Sequence, residues 1–198
     1  MDHRVKNLFA LSSGVVALSA RSANSAAELA SAVRERLSAL ARAHALTLPV
    51  MTDAGHRMEQ STTLHALIDT ILAPYEGQTV DGKPRVAVSG ADIAIAGSSL
   101  TSLALLLHEF ATNAAKYGAL SAPTGHIDIE CKDDGAQFIL EWVERNGPPV
   151  EHPANGEGFG TKVARSTVQG QLGGEIARDW NPEGLGIRLS IARDRVST

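Results

Sequence analysis

The chain has 198 residues, 43% of them apolar, which is the size of one ordinary domain or two small ones and the composition of a soluble globular protein. Eighteen Lys and Arg against 22 Asp and Glu leave a net charge of -4, so binding to nucleic acid has no electrostatic support. The single cysteine, Cys131, excludes an internal disulfide and points to a reducing cytoplasm, and no run approaches the ~20 apolar residues that cross a bilayer.

From the N-terminus, Leu8, Leu11, Val15 and Leu18 recur at helical spacing up to a break around Ser22–Ser25. Asn24 or Ser25 can cap a second helix with Glu28 in its first turn, and Leu29, Val33, Leu37 and Leu40 form its stripe. Two such helices bury little area alone and are expected to pair as a hairpin and dimerise, with alanines allowing close approach. Thr47-Leu48-Pro49 ends the second helix, because proline disfavours α geometry in the residue before it.

Beyond this point the element types alternate. Leu64–Leu72 predicts a helix closed by Pro74, and Arg85–Ser89 and Ile93–Ala96 predict short strands. An apolar run opens a helix over Leu100–Gly118. His126–Cys131 and Gln137–Val143 predict an antiparallel pair across Asp133-Asp134-Gly135, with Cys131 as a small core residue. Thr161–Leu172 reads as helical, Gly173-Gly174 as its closing turn, and Glu175–Trp180 with Gly186–Ala192 as a last hairpin. Helices gathered on one face of a mixed, mainly antiparallel sheet make an α/β sandwich within an α+β chain.

The most informative run is His-Glu-Phe-Ala-Thr-Asn-Ala-Ala-Lys-Tyr-Gly at 108–118. Glu109, Asn113 and Lys116 are spaced i, i+4, i+7 and share one helical face. A carboxylate, an amide and an ammonium on one face suit a magnesium–polyphosphate, whereas the plainer reading is a solvated polar stripe. The remaining histidines, His44, His56, His65, His126 and His152, have no metal-ligand spacing.

The 108–118 run resembles the N box of the Bergerat-type ATPases. Its His108 before Glu109, together with Trp142-Val143-Glu144, resembles the HWE sensor histidine kinases and their HisKA_2 relatives. The opening Asp2-His3-Arg4-Val5-Lys6-Asn7 is similar to that family's phosphoacceptor box, so the resemblance makes His3 the phosphorylated residue. A neutral imidazole is a competent nucleophile near pH 7. The acidic residue precedes His3 instead of following it, and Asp2 and Glu109 are both candidates for the general base. The usual adenine-binding Asp is replaced by Arg145, and Pro149 stands for a glycine, which leaves adenine to Glu144 or to a backbone carbonyl.

The resemblance further implies that Asn113 holds Mg2+, and that Asn113, Lys116, Tyr117, Glu144, Gly147, Gly158, Phe159, Gly160 and Thr161 contact ATP. Gly158-Phe159-Gly160-Thr161 would bring phosphates to a helix N-terminus, and 148–158 would form a short lid. The expected organisation is a dimerisation and histidine phosphotransfer hairpin at 1–46, a linker near 47–62 and an ATP-binding domain over 47–198. The expected function is a two-component histidine kinase that passes phosphate from ATP to His3 and on to the receiver domain of a response regulator. A homodimer through the hairpin, an upstream sensor domain outside this chain and a cytoplasmic location go with it. The alternative is a phosphotransfer scaffold with a degenerate, non-binding ATPase-like domain.

Overall fold

In a computed structural model, residues 12–17, 19–21, 23–48, 50–51, 57–58, 62–150 and 159–197 are described. Residues 12–17 and 19–20 are helical, and α1 follows at Ala26–Ala45. Ser25 is its N-cap: its hydroxyl accepts from the Glu28 N–H at 3.1 Å, while the Asn24 N–H donates back to Glu28 Oε2 at 2.8 Å. One otherwise orphaned helix donor and the N–H just before the cap are thereby satisfied.

The buried face of α1 shares only Leu40 with the leucine stripe of the sequence reading. Arg36, Ala39, Leu40 and Ala43 are buried, while Leu37 is exposed and Leu29 and Val33 are half-buried. The helix turns its alanines inward because it lies against the chain's own central helix, where small side chains permit close packing. Leu37 is left facing outward.

After two short antiparallel strands, β1 (Val50–Met51) and β2 (Arg57–Met58), β3 (Thr62–Thr63) pairs antiparallel with β5 (Ala94–Ile95). Helix α2 spans Leu64–Leu72, capped by the Thr63 hydroxyl, and buries Leu64, Leu67, Ile68, Ile71 and Leu72. Pro74 lies in the single 3-10 turn that closes it. Helix α3 spans Gly97–Lys116 and is the central helix, touching α1, α2 and α4 (Phe159–Gly170).

The main sheet has five strands: β4 (Val86–Gly90), β6 (His126–Asp133), β7 (Gln137–Arg145), β8 (Glu175–Asn181) and β9 (Gly184–Ala192). Their order is β4-β6-β7-β9-β8. Only β4 and β6 run parallel, and the chain crosses between them through α3; the other pairs are antiparallel. The β6–β7 turn forms because Asp133 and Asp134 carboxylates accept from the N–H groups of Gly135, Ala136 and Gln137, with Gly135 at φ 86°.

Alternation places one face of the sheet in the core. Ile127, Ile129, Cys131, Phe138, Leu140, Trp142, Ile187, Leu189 and Ile191 point inward and join the helices in one apolar cluster. On the opposite face, Lys132 and Arg188 both pair with Glu141. This is the mixed sheet with helices on one face that the hydrophobic pattern predicts. Helix α5 (Arg193–Val196) ends the chain against the core through Val196. Among the described residues no helix is long and apolar enough to cross a membrane.

Candidate nucleotide site on the central helix

The C-terminal half of α3 presents Glu109, Asn113 and Lys116 along one edge that runs from buried to exposed. Glu109 is 8% exposed, Asn113 is half-buried and Lys116 is exposed, as is Tyr117 just past the helix. The Asn113 amide and the Lys116 ammonium make no protein hydrogen bond or ion pair among the described residues. They are therefore available to a ligand, whereas Glu109 already has a protein partner: Arg36 Nε of α1 donates to Glu109 Oε1 at 2.7 Å. Arg36 Nη1 donates to the Ser19 hydroxyl at 2.8 Å, and that hydroxyl donates to the Val15 carbonyl at 2.7 Å. A chain of polar contacts thus runs from the helical N-terminal segment to the site helix.

His108, one residue before, is also buried. Burial holds its imidazole below the usual histidine range, and Glu109 and Glu35 oppose that shift while Arg36 and Arg42 add to it. Its Nδ1 has no hydrogen-bond partner among the described residues. These charged neighbours place His108 on the flank of α3 that meets α1.

The end of α3 is fastened to β7. The Asn113 carbonyl accepts from the N–H groups of Tyr117 (2.8 Å) and Gly118 (3.2 Å), closing the last turn. Glu144 Oε2 then accepts from the Ala119 N–H at 2.8 Å, and Glu144 Oε1 accepts from Trp142 Nε1 at 3.3 Å. Glu144 is 3% exposed, and burial raises its carboxyl above the usual carboxylate range against the lowering effect of these two donors. Trp142 is fully buried and packs edge-on against Phe110 of α3, with ring centroids 5.7 Å apart.

Glycines make this contact possible. A Cβ on Gly118 would lie 1.9 Å from Glu144 Oε2, and one on Gly147 would lie 2.6 Å from the Ala119 Cα. Gly147 is therefore a packing glycine against the end of α3, and Asn146 before it turns through φ 55°. Both Glu144 oxygens that the sequence reading offered to adenine face protein donors. Arg145, in the slot of the usual acid, points to the surface and pairs with Asp128 at 3.1 Å.

Phe159, Gly160 and Thr161 form the first turn of the 12-residue α4, a helix N-terminus of the kind that suits phosphate. Their side chains, together with His3, Asp2 and Gly158, lie outside the described residues. No group of three or more His, Cys, Asp or Glu among the described residues could hold an ion. A magnesium ion at Asn113 would thus take most of its ligands from phosphate and water, as that hard cation commonly does. A separate cavity of about 250 Å³, lined by His65, Asp69, Leu72, Glu76, Val86 and Val88, shares no residue with this site.

The sequence reading missed Arg36 and Ser19. An arginine within an alanine-rich helix carries no signal of burial, and only the small residues beside it, Ala39 and Ala43, hint at a helix pressed close.

Comparison with known proteins agrees with this fold. A histidine kinase domain from Erythrobacter litoralis EL346 superposes with a TM-score of 0.60 at 16% identity, covering 96% of this chain and 95% of that one. The longer structure of that blue-light activated kinase gives 0.64 at 18%, with 96% and 59% covered. The fold is that of a histidine kinase core. The HWE histidine kinase model matches residues 1–92. A blue-light-activated histidine kinase of Rhizobium johnstonii is 35% identical over 193 residues, and one of Erythrobacter litoralis is 33% identical over 193. Each alignment takes in 96% of this chain and 51% of the relative, so the chain spans about half the length of the curated relatives it matches. The chain is thus similar to the HWE histidine kinases over residues 1–92 and to blue-light-activated histidine kinases over nearly its whole length.

Proposed function

We propose that the chain is the kinase core of a two-component system, binding ATP with Mg2+ against the last turns of α3 and phosphorylating His3. One observation carries this reading: among the described residues the Asn113 and Lys116 side chains make no hydrogen bond or ion pair, and they stand on a helix end braced against β7 through Glu144. Lys116 would neutralise polyphosphate charge, and Asn113 would hold the metal, whose role when bound is to draw charge off the phosphate oxygens. An imidazole nitrogen of His3 forms the new N–P bond as the γ-phosphorus-to-oxygen bond breaks. ADP leaves, and the imidazole proton passes to a base.

Asp2 and Glu109 are the candidates for that base. Of the two, Glu109 is already ion-paired with Arg36 through Oε1. The phosphoryl group would then pass to an aspartate on a response-regulator receiver domain docked on the helical segment, the transfer relying on positioning more than covalent work. A homodimer through the hairpin and a cytoplasmic location complete the reading.

Incubation with γ-labelled ATP tests it: an acid-labile label should appear on the protein and vanish in His3→Ala. A label that persists in His3→Ala, or no label under any condition, overturns it. The scaffold alternative draws support from Arg145, which pairs with Asp128 and offers no acid to a base. It predicts no ATP binding with or without Mg2+.

A further inference from the structure

Trp142-Val143-Glu144 has no role yet beyond marking the family, and its geometry carries one. Glu144 is a buried carboxylate that accepts from two donors on two different elements, the Ala119 N–H beyond α3 and the indole of Trp142 on its own strand. Burying a carboxylate is costly unless such donors meet it, so the position is a built one. The backbone is shaped around it on three sides. Gly118 leaves room for Oε2, Gly147 lets the strand end close on Ala119, and a Cβ on Gly184 would fall 1.9 Å from the Glu144 carbonyl oxygen. Ala119 directly follows the turn whose N–H groups close on the Asn113 carbonyl, and it lies three residues after Lys116.

We propose that Glu144 is a positioning residue: it fixes the Gly118–Ala119 turn to the end of β7 and so holds Asn113 and Lys116 at the polyphosphate, without touching adenine. The inference rests on the reading that ATP binds at this helix end. A second tether supports the same segment, since Arg85 Nη2 donates to the carbonyls of Leu120 (2.7 Å) and Ala122 (3.1 Å). The turn is thus held at its start by Glu144 and further on by Arg85. Loss of the Glu144 contact frees the part nearest Lys116.

The experiment compares Mg-ATP with adenosine, which has the base and no phosphate, by NMR titration of the full chain and of Glu144→Gln. A glutamine can accept from the Ala119 N–H or from the indole, but its amide NH2 repels the other donor. Mg-ATP affinity should fall about tenfold or more, the scale of one charge-assisted hydrogen bond, while adenosine affinity stays within about twofold. Gly118→Ala, whose methyl would displace Oε2 from the opposite side, should give the same split. Thermal unfolding of each variant shows that it is folded. Equal weakening of both ligands would mean that Glu144 contacts the base and would overturn the proposal, as would unchanged Mg-ATP affinity in folded Glu144→Gln. Failure of the unaltered chain to bind Mg-ATP is a different result: it overturns the nucleotide reading itself, and this inference with it.

Discussion

Arg36 and Glu109, 73 residues apart, meet in a buried ion pair that joins the helical segment to the helix bearing the site, with Nε 2.7 Å from Oε1. Both side chains are about nine-tenths removed from solvent, at 11% and 10% exposure. Removing one partner strands a charge, so Arg36→Met should lower unfolding free energy by about 3–5 kcal/mol. Pairing it with Glu109→Leu should restore most of that loss, because no charge then remains buried. Urea denaturation of the two single variants and the double closes the cycle. Additive losses would show that the two residues do not interact in solution.

Asn113→Ala should abolish autophosphorylation and leave the fold intact, since its side chain holds no hydrogen bond among the described residues. His3 in that variant should still take phosphate back from a phosphorylated receiver domain. Autokinase activity that survives the substitution would remove Asn113 from the metal site.

Glu144 gives stability a pH dependence of definite sign. Its carboxyl is raised from the ordinary 4.5 by burial, so the folded chain binds its proton more tightly than the unfolded chain does. Its contribution is therefore fullest below the unfolded value and is lost as pH rises through the folded one. Relative to Glu144→Gln, which does not titrate, the parent chain should lose stability as pH climbs above about 4.5. A difference that widened in the parent's favour with rising pH would contradict the assignment.

Cys131 should be inert in the native state. Burial first, then the carboxylates of Asp92 and Glu130, push its thiol up to about 12, and it is 1% exposed. At pH 8 roughly one thiol in ten thousand is then ionised. A thiol-reactive dye should label it only on unfolding, at the rate of global opening. Rapid labelling without denaturant would show that β6 opens locally.

Much of the fold is legible in the pattern because the pattern is its cause. Leu64–Leu72 is read to the residue: its apolar run, the Thr63 cap and Pro74 all act locally. Cys131 is read as core from its strand position and is buried. The start of α3 falls three residues before its first leucine. Ser99 there is held by a long-range bond, its hydroxyl donating to the Arg195 carbonyl, and has no apolar signal. The inward face of α1 is set by what it packs against, so Leu29, Val33 and Leu37 misled. In the site, spacing found the edge of α3 bearing Glu109, Asn113 and Lys116. It could not reveal that Arg36 occupies Glu109 or that Glu144 faces inward, since burial of a charge depends on partners distant in sequence.

The order of the sheet has a consequence for association. An outermost strand exposes a row of unpaired amides and carbonyls that can recruit another chain. At one margin β8 carries Glu175, Arg178 and Asp179 within seven residues, and charges of mixed sign resist strand addition. At the other, β4 is five residues long and is flanked by the carboxylates of Asp69 and Glu76 across the adjoining cavity. Both margins thus discourage edge-to-edge aggregation.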